Sequence, residues 1–304
     1  MATAVFSRAP GQRTLPAPAC ARLGFRLAGS VLDLDVRDTA ALELLQTAYA
    51  PLQCPAAGAR VHASLQRLAD GRLHVRYGRQ TLRFANAADP VPLRAAYHAA
   101  REIFARFACE RHDAIALYGT LCAVDNAAVL LLGPTTIGKT LLALHVAAAG
   151  AQFLGDETVL LSPKTAEAHA MPRRPSLRES ALALLPQPSM REAVEASAAY
   201  FETDRGRFWY GLDAQALGIE PSERPLVLRA VCLLRERGDC AAVDRVDRDR
   251  ALKVLAQRAY VRPTSLAQIA ALRAATRRAA FFEVTLGAPD ATSAALLHQV
   301  RACE

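Results

Sequence analysis

Short apolar runs, separated by polar or glycine-containing turns, recur along this chain and predict a mixture of strands and helices. Over residues 22–37 the pattern ends in alternation, since Leu32, Leu34 and Val36 are separated by aspartates. This alternation predicts a half-buried strand. Asp38 follows and is placed to cap a helix over residues 39–49.

A second alternating pattern covers residues 61–68 and 72–84, on either side of the turn Ala69-Asp70-Gly71. Two alternating segments around a glycine-containing turn are typical of a β-hairpin. Before all of these elements, prolines and small residues predict a frayed start. We therefore predict a flexible N-terminus over 1–20, a small α+β module over 21–90 and a catalytic domain over 91–304.

The rest of the chain alternates between short strands and amphipathic helices. The segment 89–109 predicts an amphipathic helix packed on the next domain, and Asp125-Asn126 predicts a hairpin turn between two strands. Further strands are predicted over 114–118, 121–124, 127–132, 151–161, 226–235 and 281–286, a strand pair over 201–212, and helices over 176–185, 189–199, 247–259 and 266–280, with a final helix ending at Arg301.

A phosphate-binding loop is predicted where the apolar strand 127–132 ends. The loop reads Gly133-Pro134-Thr135-Thr136-Ile137-Gly138-Lys139-Thr140, and a helix that stops at Gly150 follows it. Glycines let backbone N–H groups turn toward phosphate oxygens, Lys139 can reach the β- and γ-phosphates, and the Thr140 hydroxyl can ligate Mg²⁺. The alternative is a glycine-rich turn that merely joins strand to helix.

Two adjacent carboxylates, Asp156 and Glu157, interrupt the next apolar segment. Buried carboxylates are costly unless they are paired or bound to metal. Because one helix separates this pair from Thr140, either side chain can return to the metal of the loop, and one could accept a proton from an attacking hydroxyl. The alternative is an Asp-Glu turn that faces solvent.

The stretch from Leu130 to Leu161 resembles the catalytic core of HPr kinase/phosphorylase and its related kinases, which share a phosphoenolpyruvate-carboxykinase-like fold. The resemblance is carried by the loop, by Gly150 and by Gly155-Asp156-Glu157. It implies an α/β fold with mixed sheets, ATP and Mg²⁺ as cofactors, Asp156 as the base for the acceptor hydroxyl and Glu157 beside it at the metal.

A weaker resemblance covers Pro172-Arg173-Arg174-Pro175-Ser176-Leu177-Arg178, a basic step from which Arg178 or a neighbouring arginine could clamp a phosphate. Arg205 and Arg207 lie in a charged turn that could contact nucleotide or acceptor, or could be a plain hairpin tip. The sequence departs from HPr kinase proper at Tyr118-Gly119, where the family has His-Gly, and this points to another acceptor than HPr.

The composition of the chain limits the location, partners and cysteine chemistry that we expect for the protein. No apolar run reaches the length of about 20 residues that spans a bilayer, and no export signal is visible at the N-terminus, so we expect a cytoplasmic protein. The formal net charge of +8 comes almost entirely from dispersed arginines, which does not favour nucleic-acid binding. Seven scattered cysteines predict neither a zinc site nor a disulfide framework.

We therefore predict an ATP-dependent kinase that transfers the γ-phosphoryl group to a hydroxyl. By resemblance to kinases that tailor ribosomally made peptides, including lasso peptides, the leading acceptor is a serine of a peptide. Two alternatives remain open, a small-molecule kinase and a non-catalytic nucleotide-binding regulator. The N-terminal module could dock the acceptor or form a contact between copies of the chain.

Overall fold

The computed structural model describes residues 21–27, 30–56, 62–68, 72–84, 92–197, 199–203, 205–219, 224–260 and 266–303. The predicted flexible N-terminus, the turn at 69–71 and the predicted start of a helix at 89–91 lie outside these ranges.

The first part of the chain forms a sheet covered by two helices. Its strands are β1 (Ala21–Leu27), β2 (Ser30–Arg37), β3 (Gln53–Cys54), β4 (Ala63–Arg67), β5 (Leu73–Tyr77) and β6 (Gln80–Phe84), and its helices are α1 (Thr39–Ala48) and α2 (Pro92–His112). The strand order is β3-β1-β2-β4-β5-β6, in which β2 and β4 pair in parallel.

Local sequence signals account for most of this sheet. The predicted cap is confirmed, since Asp38 Oδ1 accepts a hydrogen bond of 2.8 Å from the backbone N–H of Ala41. The prediction of one strand over 72–84 was wrong, because β5 and β6 pair as an antiparallel hairpin. The chain reverses at Gly78, whose φ of 56° glycine adopts without strain.

The remaining strands form two further sheets. They are β7 (Ile115–Leu117), β8 (Thr120–Val124), β9 (Ala127–Leu132), β10 (Gln152–Gly155), β11 (Val159–Leu161), β12 (Glu167–Ala170), β13 (Leu177–Arg178), β14 (Tyr200–Thr203), β15 (Gly206–Trp209), β16 (Leu226–Arg237), β17 (Ala242–Arg245) and β18 (Ala280–Leu286). The small sheet has the order β13-β15-β14, and all the others join one large mixed sheet.

Strand directions in the large sheet decide where the predicted site lies. Strand β8 is antiparallel to both β9 and β10, so β9 and β10 point the same way. The phosphate loop follows β9 and the acidic pair follows β10, while Thr120 begins the oppositely directed β8 and pairs with Leu131. All three therefore lie at one edge of the sheet.

Helices cover both faces of the large sheet. The remaining helices are α3 (Lys139–Ala148), α4 (Pro188–Glu195), α5 (Arg248–Arg258), α6 (Leu266–Ala275) and α7 (Pro289–Arg301). Along β9, Val129 and Leu131 join the core formed with α3 and α7, whereas Leu130 and Leu132 join the core formed with α5 and α6. Burial on both faces explains why β9 is a continuous apolar run.

The predicted helix over 176–185 was wrong. Residues 177–178 form β13, in which Leu177 pairs with Trp209, and Glu179–Leu184 is a 3₁₀-helix. A strand partner 32 positions away leaves no local signature. The predicted turn at Asp125-Asn126 is confirmed, because both residues have positive φ between paired strands. None of the helices in the described ranges is long and apolar enough to cross a bilayer.

Candidate phosphoryl-transfer site

The predicted phosphate loop joins β9 to the N-terminus of α3. Gly138 is the N-cap residue of α3 and has a φ of 107°, which is strained for any residue with a β-carbon. Gly133 is needed for another reason, because a β-carbon there would approach Ile137 Cγ2 to 3.0 Å and Leu234 Cβ to 3.2 Å. The loop thus presents the positive end of the α3 dipole, as an anion site requires.

Lys139 is buried at the start of α3. Its Nζ donates to the carbonyl oxygens of Gly133 at 3.2 Å and Pro134 at 2.8 Å, and it lies 4.5 Å from the centre of the Tyr118 ring. Burial lowers the pKa of Lys139 to about 8, although Asp156 and Glu157 act in the opposite direction. The side chain is therefore held within the loop by two carbonyl acceptors, and it loses its charge more readily than an exposed lysine.

Asp156 contacts the loop directly. Its Oδ2 accepts a hydrogen bond of 2.7 Å from the Thr140 hydroxyl. Its Oδ1 accepts from the Thr120 hydroxyl at 2.5 Å and from the backbone N–H of Glu157 at 2.9 Å. Burial, followed by repulsion from Glu157, raises the pKa of Asp156 despite Arg173 and the two hydroxyl donors.

Glu157 has a different environment from its neighbour. It accepts a hydrogen bond from the Tyr97 hydroxyl of α2, and its Oε2 lies 3.7 Å from Nη2 of the buried Arg173. Burial alone would raise the pKa of Glu157, but Arg173 and Arg101 outweigh it and hold that pKa below its usual value. The side chain is thereby directed toward α2, with the backbone at a φ of 68°.

The three arginines of the basic step lie in different places. Arg173 is buried behind the acidic pair and donates to Tyr97 Oη at 2.8 Å and Ser176 Oγ at 2.9 Å. Arg174 lines a separate small cavity with Pro51 and Phe153. Arg178 alone of the three lines the cavity that contains the phosphate loop, and its guanidinium lies 5.3 Å from the centre of the Phe208 ring.

One cavity of about 770 Å³ brings the predicted site residues together. Its walls come from the phosphate loop, the acidic pair, α2, the 3₁₀-helix and the β14–β15 hairpin. Its lining includes Arg94, Tyr97, His98, Arg101, Tyr118, Thr135, Thr136, Ile137, Gly138, Lys139, Thr140, Asp156, Glu157, Arg178, Arg205 and Arg237. Of the predicted turn arginines, Arg205 lines the cavity, whereas Arg207 pairs with Glu202 at 3.2 Å.

Sequence reasoning missed the contribution of α2. Tyr97 and Arg101 reach the acidic pair from a helix that precedes it by about 60 positions. The spacing of Arg94, His98 and Arg101 on one helix face was the available signal. Thr120 carried no signal, because an isolated threonine in an apolar run is ordinary.

Thr140 and Asp156 fit a Mg²⁺ site. Two oxygens bound side by side to an octahedral Mg²⁺ at about 2.1 Å lie about 3 Å apart, and Thr140 Oγ1 lies 2.7 Å from Asp156 Oδ2. The described part of the chain has no cluster of three or more His, Cys, Asp or Glu side chains suited to a metal. A nucleotide-bound Mg²⁺ needs only one or two protein ligands besides phosphate and water, so this pair suffices.

Comparisons with known proteins give distant likenesses among solved structures. No family model matches the chain, and no curated protein matches it. Among solved structures, the HPr(Ser) kinase/phosphatase from Coxiella burnetii aligns at 11% identity with a TM-score of 0.30, covering 62% of this chain and 97% of that one. A likeness at this level carries no argument about activity.

Proposed function

We propose that this protein is an ATP-dependent phosphotransferase that transfers the γ-phosphoryl group to a hydroxyl. The observation that carries the proposal is the 2.7 Å hydrogen bond between Thr140 and Asp156. It joins the first hydroxyl after the loop lysine to a buried carboxylate on the wall of a large cavity. This combination supplies both an anion site and a proton acceptor.

The loop would bind the β- and γ-phosphates through its backbone N–H groups and Lys139. Lys139 now donates to two loop carbonyl oxygens, so an incoming phosphate would compete with neutral acceptors for a charged donor. Charge-assisted hydrogen bonds are the stronger kind. Lys139 therefore binds the phosphate in preference to the carbonyl oxygens. This interaction strengthens as negative charge develops on the transferred group.

Thr140 and Asp156 would hold Mg²⁺, with Glu157 adding negative charge beside it. The metal, when bound, neutralises phosphate charge and orients the γ-phosphoryl group. Arg178 lines the same cavity and would neutralise charge on the transferred group.

Asp156 would accept the proton of the acceptor hydroxyl. Before metal binding, Asp156 is the more basic of the two carboxylates, since burial raises its pKa while Arg173 and Arg101 lower that of Glu157. A base works best when its pKa approaches the working pH. Glu157 would instead fix the bend after β10 through Tyr97 and Arg173, which keeps Asp156 facing Thr140.

The acceptor that we propose is a serine of a peptide or protein, and its support is the resemblance of the loop and the acidic pair to peptide-tailoring kinases. We would incubate the protein with Mg²⁺ and γ-labelled ATP against serine-containing peptides and free serine. We expect label on a peptide serine with the wild type and none with Asp156→Asn. Transfer that survives this substitution would rule out Asp156 as the base.

Nucleotide binding, measured beside phosphoryl transfer, distinguishes a phosphotransferase from a non-catalytic nucleotide-binding regulator. The wild type should bind MgATP, Lys139→Ala should lose that binding, and Asp156→Asn should retain a measurable part of it. Tight MgATP binding without transfer to any hydroxyl or to water would identify the protein as a nucleotide-binding regulator instead.

A further inference from the structure

The cavity carries more positive charge than a nucleotide needs. Its described lining includes six cationic side chains, namely Arg94, Arg101, Lys139, Arg178, Arg205 and Arg237, but only the carboxylates Asp156 and Glu157. The charge of a bound triphosphate would be met by the loop backbone, by Lys139 and by a Mg²⁺ held at Thr140 and Asp156. A surplus of positive charge remains for a second ligand.

Three basic side chains of this lining lie on one face of α2. Arg94, His98 and Arg101 are spaced by four and three positions, so they share a helix face, and all three line the cavity. We call them the α2 basic face. The charges of His98 and Arg101 both lower the pKa of Glu157, which places this face beside the acidic pair. Arg237 lies on the side of the loop, where it also lines a small cavity with Ile137 and Gly138.

Arg101 is the second arginine, after Arg173, whose charge lowers the pKa of Glu157. The buried Arg173 already lies 3.7 Å from Glu157 Oε2, and Tyr97 donates to the other oxygen. Arg101 is held instead by aromatic rings, with its guanidinium carbon 5.0 Å from the centre of Tyr118 and 5.3 Å from that of Tyr260. Its buried Nε has no hydrogen-bond partner among the described residues. Stacking leaves the in-plane N–H groups of an arginine available to an anion.

We propose that the α2 basic face binds an anionic group of the phosphoryl acceptor, a carboxylate or a phosphate, while the acceptor hydroxyl approaches Asp156. This inference rests on the proposed function and names the acceptor as an anionic molecule or segment. A hydroxyl positioned at Asp156 leaves the rest of the acceptor beside Glu157 and α2. The cations on that wall would bind the acceptor and offset its repulsion from the transferred phosphate.

The test measures anion binding by the full-length protein with the nucleotide site occupied. Saturating Mg²⁺ and a non-hydrolysable ATP analogue are added first, and methyl phosphate, succinate and cationic choline are then titrated calorimetrically. We expect at least one anion to bind and choline not to bind. Preference for methyl phosphate would indicate a phosphorylated acceptor, and preference for succinate a carboxylate-bearing one.

Matched variants assign the binding to the α2 basic face. Arg94→Gln and Arg101→Gln should each weaken anion binding about tenfold or more, as loss of a charge-assisted contact does. Arg101→Lys should retain more affinity than Arg101→Gln. Arg191→Gln should bind as the wild type does, since Arg191 is exposed on α4 and pairs with Glu195 on the same helix. Urea unfolding checks that each variant is folded. If Arg101→Gln does not fold, Arg94→Gln still provides the test, because Arg94 is only half-buried.

Two outcomes would overturn the proposal: no anion binding beside the analogue, or binding that neither Arg94→Gln nor Arg101→Gln weakens. If the analogue itself does not bind, the proposed function fails instead. The same titrations on Lys139→Ala protein without analogue then test the α2 basic face alone.

Discussion

At the residue scale, the site depends on charged groups that are kept out of water. Lys139, Asp156, Glu157 and Arg173 are all buried, and each has polar or charged neighbours that offset the cost of burial. The sequence indicates the first three, because the loop pattern and an acidic pair one helix later are local signals. It does not indicate which carboxylate faces Thr140, since Tyr97 and Arg173 decide that from distant positions.

Lys139 gives a prediction about pH. Burial sets its pKa to about 8 in the free protein, with Asp156 and Glu157 raising that pKa and Arg258 and Arg101 lowering it. A bound triphosphate would raise it, so binding must take up a proton once the pH exceeds about 8. We expect the Kd for MgATP to increase by up to about tenfold per pH unit above that point.

Calorimetry checks this by recording Kd and proton uptake in buffers of different ionisation enthalpy. Lys139→Arg stays charged throughout, so any binding it retains should lack both effects. A wild-type Kd that is independent of pH, with no proton uptake in the alkaline range, would contradict the assignment of Lys139 to the phosphates.

At the element scale, strand direction brings the site together and α2 completes it. The end of β9, the end of β10 and the start of β8 meet because β8 runs opposite to its two neighbours. Apolar runs and turn residues predict these strands. The order in which they pair is set by side-chain packing across the sheet, which local patterns do not record. For the same reason, β13 was mistaken for the start of a helix.

The contact between α2 and the acidic pair can be tested by removing one hydroxyl. Tyr97→Phe leaves Glu157 without its α2 donor and should lower the free energy of unfolding by about 1.5–3 kcal/mol, the cost of a hydrogen bond to a charged group. Because Glu157 fixes the bend beside Asp156, the turnover rate should fall while the KM for ATP changes little.

Tyr77→Phe is the matched control, since the Tyr77 hydroxyl donates at 2.8 Å to Glu110, away from the cavity. We expect it to lower stability in urea without slowing turnover. Equal turnover in the two variants would mean that the α2 contact is structural only.

At the scale of the whole molecule, the first sheet and the large sheet share packing. The core under α1 and α2 also contains Leu160, Met171, Phe201 and Tyr210 from later elements. The mixed α/β character follows from the alternation of strand and helix patterns along the chain. These local patterns do not predict the shared core, because it joins residues more than 100 positions apart.

This shared core predicts cooperative unfolding. Fluorescence of Trp209, the single tryptophan, reports on the core beside the large sheet, whereas far-UV circular dichroism reports on all helices and strands. We expect the two signals to show one coincident transition in urea. Two separate transitions would show instead that the predicted module over 21–90 unfolds independently.

The central claim is that the phosphate loop and Asp156 form one phosphoryl-transfer centre, and a double-mutant cycle tests it most directly. The measurement is the rate of γ-phosphate release from MgATP, with water as acceptor, for wild type, Thr140→Val, Asp156→Asn and the double variant. Thr140 and Asp156 are hydrogen-bonded to each other, so the rate losses caused by the two substitutions should not be independent. The double variant should be about as slow as the slower single variant. Losses that multiply, or a rate that neither substitution lowers, would contradict the account.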